Sequence, residues 1–175
     1  MRFFTLVAAL ALLTIPASLV AHAHDHSAMG KGDAAISEGM AQSVKLGDLV
    51  LSGAFTRATL PGAKVGGGYI TIANQSNEPD RLIGGSSPAA ARVEVHEMKM
   101  DGNVMQMRQL KDGLEIPAGG NAQLAPGGTH IMLMDIAKPL KQGESIPVTL
   151  EFAKAGKVEV QFMVGRANAT SMEHH

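Results

Sequence analysis

The sequence predicts an all-β protein, built as a Greek-key sandwich or barrel in a single domain. Ten short apolar or alternating runs follow one another, each with the length of a strand rather than of a helix. Turn dipeptides such as Asp101-Gly102, Asp112-Gly113 and Gln142-Gly143 separate them, as expected between antiparallel strands. No segment has the periodicity of a long amphipathic helix, which argues against alternating βαβ units.

The first 23 residues predict a cleavable signal peptide. Arg2 supplies the positive start, residues 3–20 are mainly apolar, and Ala21 and Ala23 are small residues placed for a cut after Ala23. The alternative is an uncleaved transmembrane anchor, because about 18 mainly apolar residues approach the length that spans a bilayer. Pro16 and the small-residue site favour cleavage, so we expect an exported protein without stable membrane insertion.

Behind the signal peptide the chain divides into three parts. Residues 24–44 predict a flexible arm that contains His and Met, residues 45–165 the β domain, and residues 166–175 a tail. The predicted strands are 49–56, 68–73, 81–84, 92–98, 104–110, 114–116, 122–124, 129–135, 146–152 and 158–164. Gly66-Gly67-Gly68 is interpreted as a turn leading into the strand of Tyr69, since no P-loop Lys-Ser/Thr pair follows it.

Composition excludes several classes of function. The chain has 15 Lys and Arg against 16 Asp and Glu, which gives no basic surface for nucleic acid. It has no cysteine, so it has no disulfide and needs an ordinary hydrophobic core. It also lacks a nucleophile elbow and a zinc-protease motif, and we therefore predict that it is not an enzyme.

Two segments of the predicted domain repeat the pattern H-x-M-x-M, one beginning at His96 and the other at His130. Because alternate residues of a strand share a face, each segment can present an imidazole and two thioethers on one side. A further M-x-M pair lies between the two segments. The methionines concerned are Met98, Met100, Met105, Met107, Met132 and Met134.

Imidazole nitrogen and thioether sulfur form a borderline-to-soft donor set that prefers copper(I) to magnesium or calcium. A blue-copper electron-transfer site needs a cysteine thiolate, so this chain is predicted to carry copper rather than to pass electrons. The alternative for any single position is structural, since methionine fills cores and buried histidine is usually hydrogen-bonded. Six of the chain's 11 methionines fall between residues 98 and 134, which favours the metal site.

Residues 45–165 resemble the periplasmic copper chaperones of the PCu(A)C family. The family motif is a histidine, ten residues, a methionine and, after a longer gap, H-x-M. Here ten residues separate His96 from Met107, and 22 more precede His130-Ile131-Met132, one residue beyond the usual spacing. The surrounding stretches that carry the likeness are VEVHEMKMDGNVMQMRQL, LEIPAGG, LAPGGTHIMLM and KPLKQGESIPVTLEF.

The resemblance implies a cupredoxin-like fold without the cysteine ligand, and a copper(I) site whose ligands are His96, Met107, His130 and Met132. Secondary candidates are Met98, Met100, Met105 and Met134. It also implies a periplasmic metallochaperone that delivers copper(I) to the copper A centre of cytochrome c oxidase subunit II, with a Sco-type thiol protein as a second partner. Two alternatives stay open: a copper storage, uptake or resistance protein without an oxidase client, and a metal-free β-sandwich interaction domain.

Both ends of the exported chain carry further histidines. Cleavage after Ala23 would place a free amine beside His24 and His26, a nitrogen-rich set that suits copper(II) or nickel(II). The chain ends in Met172-Glu173-His174-His175, and related chaperones often end in His- and Met-rich tails that recruit additional copper. For both ends the alternative is a solvated segment without a metal.

Overall fold

A computed structural model describes residues 43–171. The predicted signal peptide, nearly all of the predicted arm with His24 and His26, and the terminal His174 and His175 lie outside the described residues. The described residues form eleven strands and no helix. The strands are β1 (Val44–Leu46), β2 (Leu49–Arg57), β3 (Val65–Asn74), β4 (Asp80–Ser87), β5 (Ala90–Asp101), β6 (Val104–Gln109), β7 (Leu114–Ile116), β8 (Asn121–Leu124), β9 (His130–Ile136), β10 (Ser145–Phe152) and β11 (Gly156–Gly165). The all-β prediction is confirmed, and only β1 was not among the predicted strands.

Seven of the strands close into a barrel. The order is β2-β11-β10-β4-β5-β9-β3, and β3 pairs again with β2. Neighbours in this ring are antiparallel except β11 and β2, which are parallel. The other four strands extend the sheet: β1 pairs with β2, β6 with β5, β7 with β4 and β8 with β3. The strand β6 therefore lies outside the closed ring and forms a hairpin with the end of β5.

Alternate residues of the strands fill the barrel with a hydrophobic core. On β10 and β11 the pattern is regular, with Val148, Leu150 and Phe162 each fully buried. On β5 the core residues are Val93 and Val95. On β9 they are Ile131 and Leu133. Since successive side chains point to opposite faces, the residues between these core positions must lie on the outer face of the barrel.

The glycine triplet belongs to strand β3, so its interpretation as a turn is wrong. Gly66 and Gly68 pair directly with residues of β9. A Cβ atom on Gly68 would lie 3.2 Å from Cε1 of Phe162 and 3.4 Å from Cβ of Ile131. Glycine is a poor strand former, but here it allows the core aromatic ring to approach the backbone closely. Tertiary packing therefore overrides the local preference for a turn.

Residues immediately after β11 pack on the domain. Ala169 is buried in a small cluster with Phe55 and Tyr69. Arg57 donates a hydrogen bond from Nε to the carbonyl oxygen of Ala169 at 2.8 Å, and its guanidinium lies 5.5 Å from the centre of the Tyr69 ring. The first part of the predicted tail is therefore fixed to β2. Within residues 43–171 no helix is long and apolar enough to cross a membrane.

Candidate metal centre

His96 and His130 lie directly opposite each other on strands β5 and β9. Their ring centroids are 6.1 Å apart, and the side chain of His96 is 12% exposed while His130 is 7% exposed. An imidazole nitrogen lies about 1.2 Å from its ring centre, and a metal–nitrogen bond is about 2.0 Å, so one ion can join rings up to about 6.4 Å apart. The spacing of the two rings fits a single bridging ion.

The two nitrogens of His96 have different surroundings. Nε2 lies 2.9 Å from Oε2 of Glu94. An ionised carboxylate only accepts hydrogen bonds, so Nε2 carries the proton and donates it to Glu94. Nδ1 then holds the lone pair, and this atom is buried without any hydrogen-bond partner in the described part of the chain. A buried acceptor without a partner costs about 1–3 kcal/mol, and coordination of a metal ion would satisfy it.

His130 is oriented by the backbone instead. Its Nδ1 lies 2.9 Å from the carbonyl oxygen of Gly128. A carbonyl oxygen is an acceptor, so Nδ1 is the donor and Nε2 keeps the lone pair. The two histidines therefore offer chemically different nitrogens, Nδ1 of His96 and Nε2 of His130. Each ring is fixed through its other nitrogen, as is usual for metal-ligating histidines.

Glu94 is part of a small ion-pair network that extends from His96 to the protein surface. Arg92 donates to Oε1 of Glu94 at 3.0 Å and to Oδ2 of Asp135 at 3.3 Å. The guanidinium therefore fixes the carboxylate that in turn orients His96. Sequence reasoning missed Glu94. The available signal was its position two residues before His96, which places both side chains on one face of β5.

The predicted sulfur donors lie on the same strand faces as the histidines and on both sides of the histidine pair. Met132 is two residues after His130 on β9, opposite Glu94, and is 7% exposed. Met107 lies on the other side of the histidine pair, opposite Met98 on β5. Along the strands Met132 and Met107 therefore flank the histidine pair from opposite sides. The remaining candidates pair as Met100 with Met105 and Met134 with Arg92.

In the part of the chain that the structure describes, no three His, Asp or Glu side chains converge as a metal site. The donors that this face offers are the two imidazoles and the neighbouring thioethers. Such a set is borderline to soft and selects copper(I) over the hard divalent cations.

Replacing Glu94 with leucine should lower copper(I) affinity, because Nε2 of His96 would lose the acceptor that fixes its tautomer and ring orientation. Loss of such an outer partner typically costs about 10–100-fold in metal affinity. Glu94→Gln is the matched control, since its amide oxygen still accepts the hydrogen bond. Anaerobic competition with a chromophoric chelator measures both variants, and equal affinity of Glu94→Leu and the parent protein would contradict this role.

The fold and the centre together define a cupredoxin-like β domain with a histidine–methionine cluster on its outer face. The LpqE-like family model, described as "Putative lipoprotein LpqE-like", matches residues 49–164. The chain belongs to this family, which is the family of PCuAC domains. The predicted family and the cupredoxin-like fold are both confirmed.

Solved structures of PCuAC domains are similar to this chain. The copper-bound PCuAC domain from PmoF2 is 29% identical, with a TM-score of 0.61, over 71% of this chain and 98% of that domain. The copper(I) form of DR1885 from Deinococcus radiodurans is 29% identical, with a TM-score of 0.56, over 74% of this chain and 83% of that protein.

Sequence relatives match over a shorter stretch. Lxx21020 of Leifsonia xyli subsp. xyli, named as a lipoprotein, is 43% identical over 72 residues, which cover 41% of this chain and 43% of that protein. RP573 of Rickettsia prowazekii is 30% identical over 84 residues, covering 48% of this chain and 46% of that protein. The chain thus spans less than half the length of each of these relatives.

Proposed function

We propose that this chain is a periplasmic metallochaperone that binds copper(I) between His96 and His130 and delivers it to the copper A centre of cytochrome c oxidase subunit II. The observation that carries the proposal is the buried Nδ1 of His96, which has no partner and belongs to a ring 6.1 Å from that of His130. Met132 supplies the nearest sulfur on β9, and Met107 or Met98 supplies one from the hairpin.

Other features support the same function. Copper is named for the PmoF2 domain, and copper(I) for DR1885, and each is 29% identical to this chain. The apolar start of the sequence and the lipoprotein family favour a location outside the cytoplasm. By the family resemblance, a Sco-type thiol protein is the second partner in assembling the oxidase centre.

The chain's own residues suggest how the cargo is held and released. The two imidazoles are almost buried, which shields a bound ion from water and oxidants. All the donors lie on the outer face of the barrel, so loading and release need no opening of the core. Thioethers are neutral ligands without a proton to lose, and they leave the ion exchangeable by a partner that offers thiolates.

The test is deletion of the gene in its own organism, with growth at limiting copper. We expect the copper content of oxidase subunit II and the oxidase activity to fall several-fold, because delivery is most needed when copper is scarce. Complementation with the parent gene or with Met163→Leu should restore both. Met163 is an exposed methionine on β11, outside the candidate centre.

Complementation with His96→Ala/His130→Ala should fail. If the deletion strain keeps full oxidase copper but changes in copper tolerance or in total cellular copper, the result would instead support the storage, uptake or resistance alternative. Full complementation by the double variant would support a metal-free interaction domain.

A further inference from the structure

A small aromatic cluster lies on the outer face of the barrel, separate from the hydrophobic core. It consists of Phe55 on β2, Tyr69 on β3 and Ala169, and all three residues are buried. Phe55 pairs directly with Tyr69, and their ring centroids are 4.8 Å apart. Gly68 faces the core ring of Phe162, so its neighbour Tyr69 faces outward. This is the face that carries His130 and Met132 on the adjacent strand.

The Tyr69 ring folds back along its own strand and covers Gly67. A Cβ atom on Gly67 would lie 2.5 Å from Oη of Tyr69 and 3.0 Å from its Cζ. The ring therefore occupies the space of the side chain that residue 67 lacks. Arg57 holds the ring in place, with its guanidinium 5.5 Å from the ring centre and its Nε donating to the carbonyl oxygen of Ala169 at 2.8 Å.

The space above Gly67 borders the histidine centre, the site formed around His96 and His130. Gly67 pairs with Met132 on β9, and in the same register Tyr69 is level with His130. Neighbouring strands are about 4.8 Å apart, so the ring runs alongside both donors. On its other side Met132 faces Glu94 of β5. A slot between Glu94 and the Tyr69 ring accounts for the 7% exposure of Met132 on an outer face.

We propose that Tyr69 is a positioning residue of the histidine centre, whose ring holds the thioether of Met132 towards His130. Methionine has three rotatable bonds and makes favourable sulfur–aromatic contacts, so a ring on one side restricts where its sulfur can lie. The same ring keeps water from a bound ion on the β3 side. The inference rests on the proposed function, because it takes Met132 as a copper(I) ligand, but the contact itself can be tested without copper.

The first measurement is NMR of the metal-free exported chain with ¹³C-labelled methionine methyl groups. The Met132 methyl signal, assigned by its loss in Met132→Leu, should be shifted by the ring current of Tyr69. Tyr69→Phe should keep this shift, because the ring remains, and Tyr69→Leu should remove it. Phe55→Leu is the matched control: it removes an aromatic ring from the same cluster on the side away from β9, and should leave the Met132 signal near its parent position.

The second measurement is copper(I) affinity, by anaerobic competition with a chromophoric chelator, together with X-ray absorption at the copper edge. Tyr69→Leu should lower the affinity by about 10–100-fold, as is typical when a residue that supports a ligand is lost. Its X-ray absorption should show fewer sulfur neighbours and unchanged nitrogen neighbours. Tyr69→Phe and Phe55→Leu should both bind with near-parent affinity. Circular dichroism shows that each variant is folded.

Several results would overturn the role of Tyr69 and leave the histidine centre standing. They are an unshifted Met132 methyl in the parent protein, an unchanged affinity and sulfur count in folded Tyr69→Leu, and equal losses in Tyr69→Leu and Phe55→Leu, which cluster packing alone would explain. If Tyr69→Leu does not fold, Gly67→Ala displaces the ring instead, and parent-like affinity there would count against the role. A shifted methyl in a parent protein that binds no copper(I) would overturn the proposed function itself, and the role of Tyr69 with it.

Discussion

Replacing both His96 and His130 with alanine is expected to lower copper(I) affinity at the histidine centre by on the order of a thousandfold or more. The loss of an outer partner alone typically costs about 10–100-fold, and this variant removes two direct ligands. The remaining thioethers on this part of the face, chiefly Met132, cannot replace two imidazoles. Competition with a chromophoric copper(I) chelator measures the loss, and the nitrogen signal in X-ray absorption should disappear.

Thermal unfolding separates this effect from a loss of folding. A ligand at 1,000 times its dissociation constant stabilises the folded state by about 4 kcal/mol, so copper(I) should raise the Tm of the parent protein by roughly 10–20 °C. The double variant should show a Tm close to the parent apo protein, because both histidines lie outside the barrel core, but little increase from copper(I) at this centre. A parent-like affinity and nitrogen signal in the variant would remove His96 and His130 from the site.

Phe162→Ala is expected to have the largest effect on stability. The Phe162 side chain is fully buried in the barrel and packs against Gly68. Because glycine has no side chain to fill the space, the cavity would persist, and truncations of this kind cost about 3–5 kcal/mol. That is a large part of the 5–15 kcal/mol typical of a whole domain. The Tm should fall by roughly 10–20 °C.

Met163→Leu is the matched control for this experiment, since the next residue on β11 faces outward and is 39% exposed. It should change the free energy of unfolding by less than about 0.5 kcal/mol. Denaturant unfolding followed by circular dichroism measures both variants. Well below its Tm, Phe162→Ala should still bind copper(I) with near-parent affinity, because the donors lie on the outer face. A loss of less than about 1 kcal/mol would show that Phe162 does not occupy a rigid core position.

The strands could be predicted because their signals are local. Alternating runs such as Arg92-Val93-Glu94-Val95 and turn pairs such as Asp101-Gly102 carry the period and the punctuation of a sheet in the sequence itself. The shared face of His96 and Met98 follows from the same period of two. The glycine triplet was misread because its strand conformation depends on pairing with β9 and on the ring of Phe162, which are distant in the sequence.

The sequence by itself determined the fold class, the family and the donor types at the candidate centre, because strand period, motif spacing and side-chain chemistry are all properties of the linear chain.

Only the tertiary structure determined how those donors are arranged relative to one another. The pairing of β5 with β9 places His96 against His130, and the pairing of β5 with β6 places Met107 opposite Met98, on the other side of the histidine pair from Met132. The tertiary structure also determined the role of Glu94. Its carboxylate contacts Nε2 of His96, and this leaves Nδ1 of His96 buried and without a partner among the described residues. Register between strands is set by the whole core and by turn geometry, so it could not be obtained from either segment alone.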